Sequence, residues 1–141
     1  MSDNDDWTPG DDASSGGTQV VEQFMGDTIT MVEPSLSLRG AAERLRDAEV
    51  GLLVVGTVEA VLGVVSERDI VRCVALGADL DDTTVETIES KDLKWATRNT
   101  SVADVIEEMM EHYLRHVLIA GDAGELVGVA SMRDLVAAYL T

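Results

Sequence analysis

A chain of 141 residues, 45% of them apolar, can bury one compact domain or two small fused ones. Its 27 acidic residues against ten basic ones give a net charge of −17, and only Lys91 and Lys94 are lysines; this argues against nucleic acid as a partner, because binding phosphates needs a basic face. No apolar run approaches the roughly 18 residues of a bilayer span, the N-terminus lacks the profile of a secretory signal, and the single Cys73 rules out an intramolecular disulfide or a thiolate metal cluster. A cytoplasmic protein with no membrane partner is expected, with Cys73 as a buried thiol. The excess of Asp and Glu over Lys resembles that of halophilic proteins, kept soluble where salt screens self-repulsion.

Residues 1–18 combine Asp, Ser, Gly and Asn with one aromatic and read as a disordered acidic tail. Val20, Val21, Phe24 and Met25 then make a short amphipathic turn, expected to pack on the first half of the chain. Thr28 to Val32 is β-branched and apolar, a strand stopped at Glu33-Pro34 because the residue before proline avoids helical geometry. Ser37 caps a helix whose apolar face is Leu38, Ala41, Ala42, Leu45 and Ala48. Two near-continuous apolar runs, Gly51 to Val55 and Ala60 to Val65, read as buried strands. A helix from Glu67 to about Ala75 follows, ended by Gly77.

After a linker at 78–84 the same order returns. Val85, Ile88, Ser101 and Val102 each lie sixty-four residues after Val21, Phe24, Ser37 and Leu38. Ser101 caps a helix with the stripe Val102, Val105, Ile106 and Met109; strands His116 to Ala120 and Glu125 to Ala130 and a helix Met132 to Leu140 complete the copy. The clearest repeat is Gly63-Val64-Val65-Ser66-Glu67-Arg68-Asp69, rewritten as Gly128-Val129-Ala130-Ser131-Met132-Arg133-Asp134 with five of seven positions identical. The offset grows by one in the turn before it, where an insertion is tolerated. Each copy predicts a buried strand running into a helix start, with Ser as cap, Asp in the first turn and two exposed backbone N–H groups beside a carboxylate. The chain is thus an internal duplication of a β-α-β-β-α unit.

Two such units, each closing with Gly-h-h-Ser-x-x-Asp (h being apolar), resemble a tandem pair of cystathionine-β-synthase-type (CBS) domains from about Val20 to Thr141. Leu114-Arg115-His116-Val117-Leu118-Ile119 is similar to the family's Arg-His-Leu-Pro-Val strand, with leucine for proline. The resemblance implies an α/β (α+β) fold of two domains, 19–77 and 85–141, packed sheet to sheet about a pseudo-two-fold axis. It also implies a regulatory module that binds AMP, ADP, ATP or S-adenosylmethionine in two clefts between the halves and signals to a partner protein. A homodimer formed through the helices is implied as well. No cofactor beyond that regulatory ligand is expected.

On the family's pattern Asp69 and Asp134 take ribose hydroxyls, while Ser66 and Ser131 touch ribose or phosphate. A carboxylate suits a vicinal diol, since it offers charge-assisted acceptors to both hydroxyls, and a helix N-terminus receives phosphate. Each cleft combines the Ser/Asp pair of one half with strand segments of the other. Ser66 and Asp69 would meet Leu114, Arg115, His116 and Lys94, with Tyr113 nearby; Ser131 and Asp134 would meet Thr30, Val50, Gly51 and Leu52, with Glu49 nearby. Phosphorylated nucleotides are therefore expected to prefer the first cleft.

Plainer readings stand beside these. Ser-x-x-Asp is also a shortened capping box, worth about 1 kcal/mol as a cap alone. Arg115 and His116 could serve surface pairing, and Trp95 is read as core rather than as a cover for adenine. His112 and His116, with Glu108 or Glu111, suggest a metal only if one helix carries both histidines, whereas a strand is expected to begin near His116; no metal is expected. Catalysis is not expected either, because no nucleophile–base pair is visible and there is no room for a barrel of about 250 residues. The alternative to a ligand sensor is an interaction scaffold with vestigial clefts.

Overall fold

The structure, a computed structural model, describes residues 19–26 and 29–140; the expected acidic tail lies outside the described residues. The first copy supplies β1 (Met31–Val32), α1 (Leu38–Ala48), β2 (Leu52–Gly56), β3 (Val61–Ser66) and α2 (Glu67–Ala75). A one-turn helix α3 (Val85–Ile88) precedes the second copy: β4 (Trp95–Thr97), α4 (Val102–His112), β5 (His116–Ala120), β6 (Leu126–Ser131) and α5 (Met132–Tyr139). The fold is mixed α+β, with two three-stranded sheets in the orders β1-β2-β3 and β4-β5-β6. In both sheets the first strand runs parallel to the second, and β2 and β3 pair antiparallel with Leu52 opposite Ser66. The first strand is shorter than the sequence predicts, although Thr30 still accepts from Val54 N–H at 2.9 Å, as its counterpart Lys94 does from Leu118.

Among the described residues, all four helices of two turns or more begin on the serine read as their cap. The hydroxyls of Ser37, Ser66, Ser101 and Ser131 accept from the N–H three residues on, at 3.0–3.2 Å. The C-terminal ends of α1 and α4 use non-glycine left-handed residues, Glu49 (φ 55°) and Tyr113 (φ 58°), at matching positions of the repeat. Each costs about 1 kcal/mol or more. Both precede the same feature, a sharp entry into the central strand in which Val50 and Leu114 donate back to Leu45 and Met109.

The two cores match position by position. Leu38, Leu45, Leu53, Val55, Val65 and Ile70 in one correspond to Val102, Met109, Val117, Ile119, Ala130 and Leu135 in the other. One pair is exchanged. Val21, fully buried, belongs to the core of the second copy, and Val85, also fully buried, to that of the first. The turn at 20–25 therefore does not pack on the first half, as its sequence position suggested. Its backbone explains why: Val21 donates to Thr100 (2.8 Å), Val102 to Gln19 (2.7 Å) and Gly26 to Val129 (3.0 Å). In mirror fashion Val85 donates to Leu36 (2.9 Å), Leu38 to Thr83 (2.9 Å), and Ser90 pairs both ways with Val64. Each sheet thus gains an antiparallel bridge from the segment that leads into the other copy.

Two compact units follow, neither contiguous in the chain. One comprises residues 29–93 with Gly124–Leu126; the other comprises 19–26, Lys94–Ala123 and 127–140. The exchange also accounts for the glycine that opens each copy of the repeated motif. Over Gly63 lies the Glu89 side chain, whose Cδ and Cγ would be 2.9 Å from an added Cβ, and over Gly128 lies Met25. A side chain at position 63 would also meet the Ser90 carbonyl, 2.9 Å from its Cβ, and one at position 128 would force the Met25 side chain to move. Glu89 carries a cost that Met25 does not, since its Oε1 is buried without a hydrogen-bond partner among the described residues.

Candidate functional site

The repeated Ser-x-x-Asp sits in both copies where the last strand turns into a helix, and neighbouring backbone holds it there. Glu67 N–H donates to Gly51 (3.1 Å), and Met132 N–H donates to Arg115 (2.8 Å). The first residue of each helix is therefore tied to the start of the central strand in the same unit. The third residue, Asp69 or Asp134, gives its N–H to the serine. Of the two open N–H groups expected at each start, one remains: that of Arg68 in α2 and of Arg133 in α5 makes no hydrogen bond among the described residues.

The two carboxylates differ. Asp69 closes a full capping box, its Oδ2 accepting from Ser66 N–H at 2.9 Å, while Oδ1 accepts from Arg72 Nη1 at 3.1 Å. Its side chain is 25% exposed. Asp134 is exposed, and among the described residues its carboxylate has no partner. The sequence explains part of this, because Arg72 stands three residues after Asp69 whereas Ala137 follows Asp134 at the same spacing.

The structure groups the remaining candidates by unit. Thr30, Val50, Gly51 and Leu52 adjoin β2 in the unit of Ser66 and Asp69. Lys94, Leu114, Arg115 and His116 adjoin β5 in the unit of Ser131 and Asp134. The second unit therefore holds both the open carboxylate and the basic residues. The Arg115 guanidinium is exposed and makes no hydrogen bond or ion pair among the described residues. His116 and Lys94 each have interactions of their own.

Trp95, expected in the core, is 41% exposed. It walls a hollow of about 210 Å3 between β4 and α4, together with Lys94, Asp104 and Glu108. No sequence signal marks this position, since a tryptophan at a core-like register reads as filling. The two histidines considered for a metal are divided between α4 and β5, as expected. Ligating atoms of Glu108, Glu111 and His112 do lie within 4.8 Å of one another, all three residues being exposed. His112 Nε2 already pairs with Glu108 Oε2 at 2.9 Å, so the cluster is satisfied as a surface i,i+4 pair with a third acid beside it. No helix among the described residues is long and apolar enough to cross a membrane.

Comparison with known proteins bears on what these sites do. Residues 21–76 and 85–141 each match the family described as the CBS domain. An uncharacterised 17.7 kDa protein of Acidianus ambivalens is 34% identical over 121 residues, covering 85% of this chain and 73% of that one. Among solved structures, a conserved protein of Pyrococcus horikoshii superposes with a TM-score of 0.79 at 31% identity, covering 86% of this chain and 92% of that one. A CBS domain protein of Pyrobaculum aerophilum complexed with AMP superposes with a TM-score of 0.73, also at 31% identity, covering 82% and 88%.

Proposed function

Because the chain belongs to the CBS domain family and carries two copies of its module, we propose that it senses an adenosine-containing ligand and passes its occupancy to a partner protein. CBS pairs are regulatory modules, and the reading assigns this chain no catalysis and no required cofactor. The ligand is AMP, ADP, ATP or S-adenosylmethionine. Asp69 and Asp134 accept the ribose hydroxyls, with Ser66 and Ser131 beside them. Lys94, Arg115 and His116 meet phosphate, and Thr30, Val50, Gly51, Leu52 and Leu114 shape the walls. The observation that carries the reading is the open Asp134 carboxylate at a helix start, in a unit that also holds Arg115 and Lys94. The AMP complex of the Pyrobaculum relative supports the ligand class.

The signal follows from thermodynamics: ligand that binds one arrangement of the module better than another biases the states available to a partner by that difference. A homodimer is part of the proposal. The outer face of α2 exposes Val71 and Val74, with Leu76 just beyond its end, at 67%, 54% and 79%, an apolar strip that a second copy would cover. The competing reading is an interaction scaffold with vestigial clefts. Mass spectrometry of small molecules released on denaturing the purified protein separates the two. An adenosyl compound in near-stoichiometric yield is expected, and its absence alongside a co-purified protein would favour the scaffold.

A further inference from the structure

The hollow beside Trp95 shares only Lys94 with the residues proposed above to bind a nucleotide. Its volume is about 210 Å3, below the roughly 300–1,000 Å3 of pockets that take drug-sized ligands. Its lining is mixed in a specific way. The Trp95 indole, Ala96, Val105 and Val117 supply apolar and aromatic wall, and Asp104 and Glu108, one turn apart on α4, supply carboxylates. Lys94 also lines the hollow, so the lining carries two formal negative charges and one positive.

From this lining we infer a binding site for a compact organic monocation of the quaternary ammonium class, with choline as its representative in size and charge. An aromatic face attracts a cation through its quadrupole, and the attraction grows when the cation sheds water easily. A quaternary ammonium is weakly hydrated and has no N–H to satisfy, so an apolar wall costs it little. A metal ion would instead need a shell of oxygen ligands, and here carboxylates stand on one wall only. Glu108 retains an oxygen for this role, because its pairing with His112 runs through Oε2. Asp104 uses its backbone N–H for the helix cap, not its carboxylate.

The chain has two tryptophans, so Trp7→Phe makes the fluorescence report on Trp95 alone. Titrated with choline chloride against sodium chloride at matched ionic strength, this protein should show a saturable change with choline only. Asp104→Asn with Glu108→Gln, both exposed positions replaced by near-isosteres, should raise the midpoint at least tenfold. Saturation transfer from protein to the choline methyl protons gives a second readout, expected in the parent and lost in the double variant. A choline curve that superimposes on the sodium curve, or an unchanged midpoint in the double variant, overturns the assignment.

Discussion

Asp134→Asn is expected to weaken AMP binding at least tenfold, and by more than Asp69→Asn does. The substitution keeps size, removes the charge and turns one acceptor oxygen into an NH2 donor, so one of the two hydrogen bonds accepted from a vicinal diol is lost and the other is no longer charge-assisted, bonds to a charged group being worth about 1.5–3 kcal/mol each. Asp134 comes to the ligand with no partner to give up among the described residues. Asp69 has one oxygen on Ser66 N–H and the other on Arg72, and although a carboxylate has further lone pairs, its acceptor strength is already shared. The charge-based expectation placed phosphorylated ligands with Asp69; the engagement of the two carboxylates favours Asp134 for the sugar. Calorimetry with AMP on the two single variants decides between these, and a larger loss in Asp69→Asn would refute the primacy of the open carboxylate.

The second large effect concerns the exchanged segments. Val21→Asp should unfold the sheet of β4, β5 and β6, and Val85→Asp the sheet of β1, β2 and β3. Each valine is fully buried in a core built mainly from the other copy. An unpaired buried charge costs on the order of 3–5 kcal/mol, a large part of a typical stability of about 5–15 kcal/mol. Hydrogen exchange reads the outcome strand by strand. In Val21→Asp the amides of His116–Ala120 and Leu126–Ser131 should lose protection first, and in Val85→Asp those of Leu52–Gly56 and Val61–Ser66. The opposite assignment would contradict the exchange.

That exchange marks the limit of what local pattern can reveal. The spacing of Val20, Val21, Phe24 and Met25 specifies that the turn has an apolar face, but periodicity carries no address for the face it meets. The address comes from backbone pairing at residues 19–26 and 83–90, which leaves no mark on composition. Helix starts were legible because serine caps act within three residues, as at Ser37 and Ser66. The left-handed ends at Glu49 and Tyr113 were not, because neither is glycine and tertiary packing holds them there. The difference between Asp69 and Asp134 is partly in view in the sequence, in Arg72 against Ala137, three residues beyond a Ser-x-x-Asp motif that is otherwise the same in both copies. Trp95 reads as core for a related reason: its register matches that of Met31 in the first copy, and register does not tell a filled position from the wall of a hollow.

Thermal unfolding of the intact chain with and without AMP, ADP, ATP and S-adenosylmethionine tests the sensor reading most directly. A ligand that binds only the native state at about a hundred times its Kd adds about 2.7 kcal/mol, which for a chain of this size raises Tm by roughly 5–10 °C. The account predicts such a rise with at least one of the four compounds and its loss when Asp69 and Asp134 are both replaced by asparagine. No rise with any of them, at concentrations up to millimolar, would contradict it.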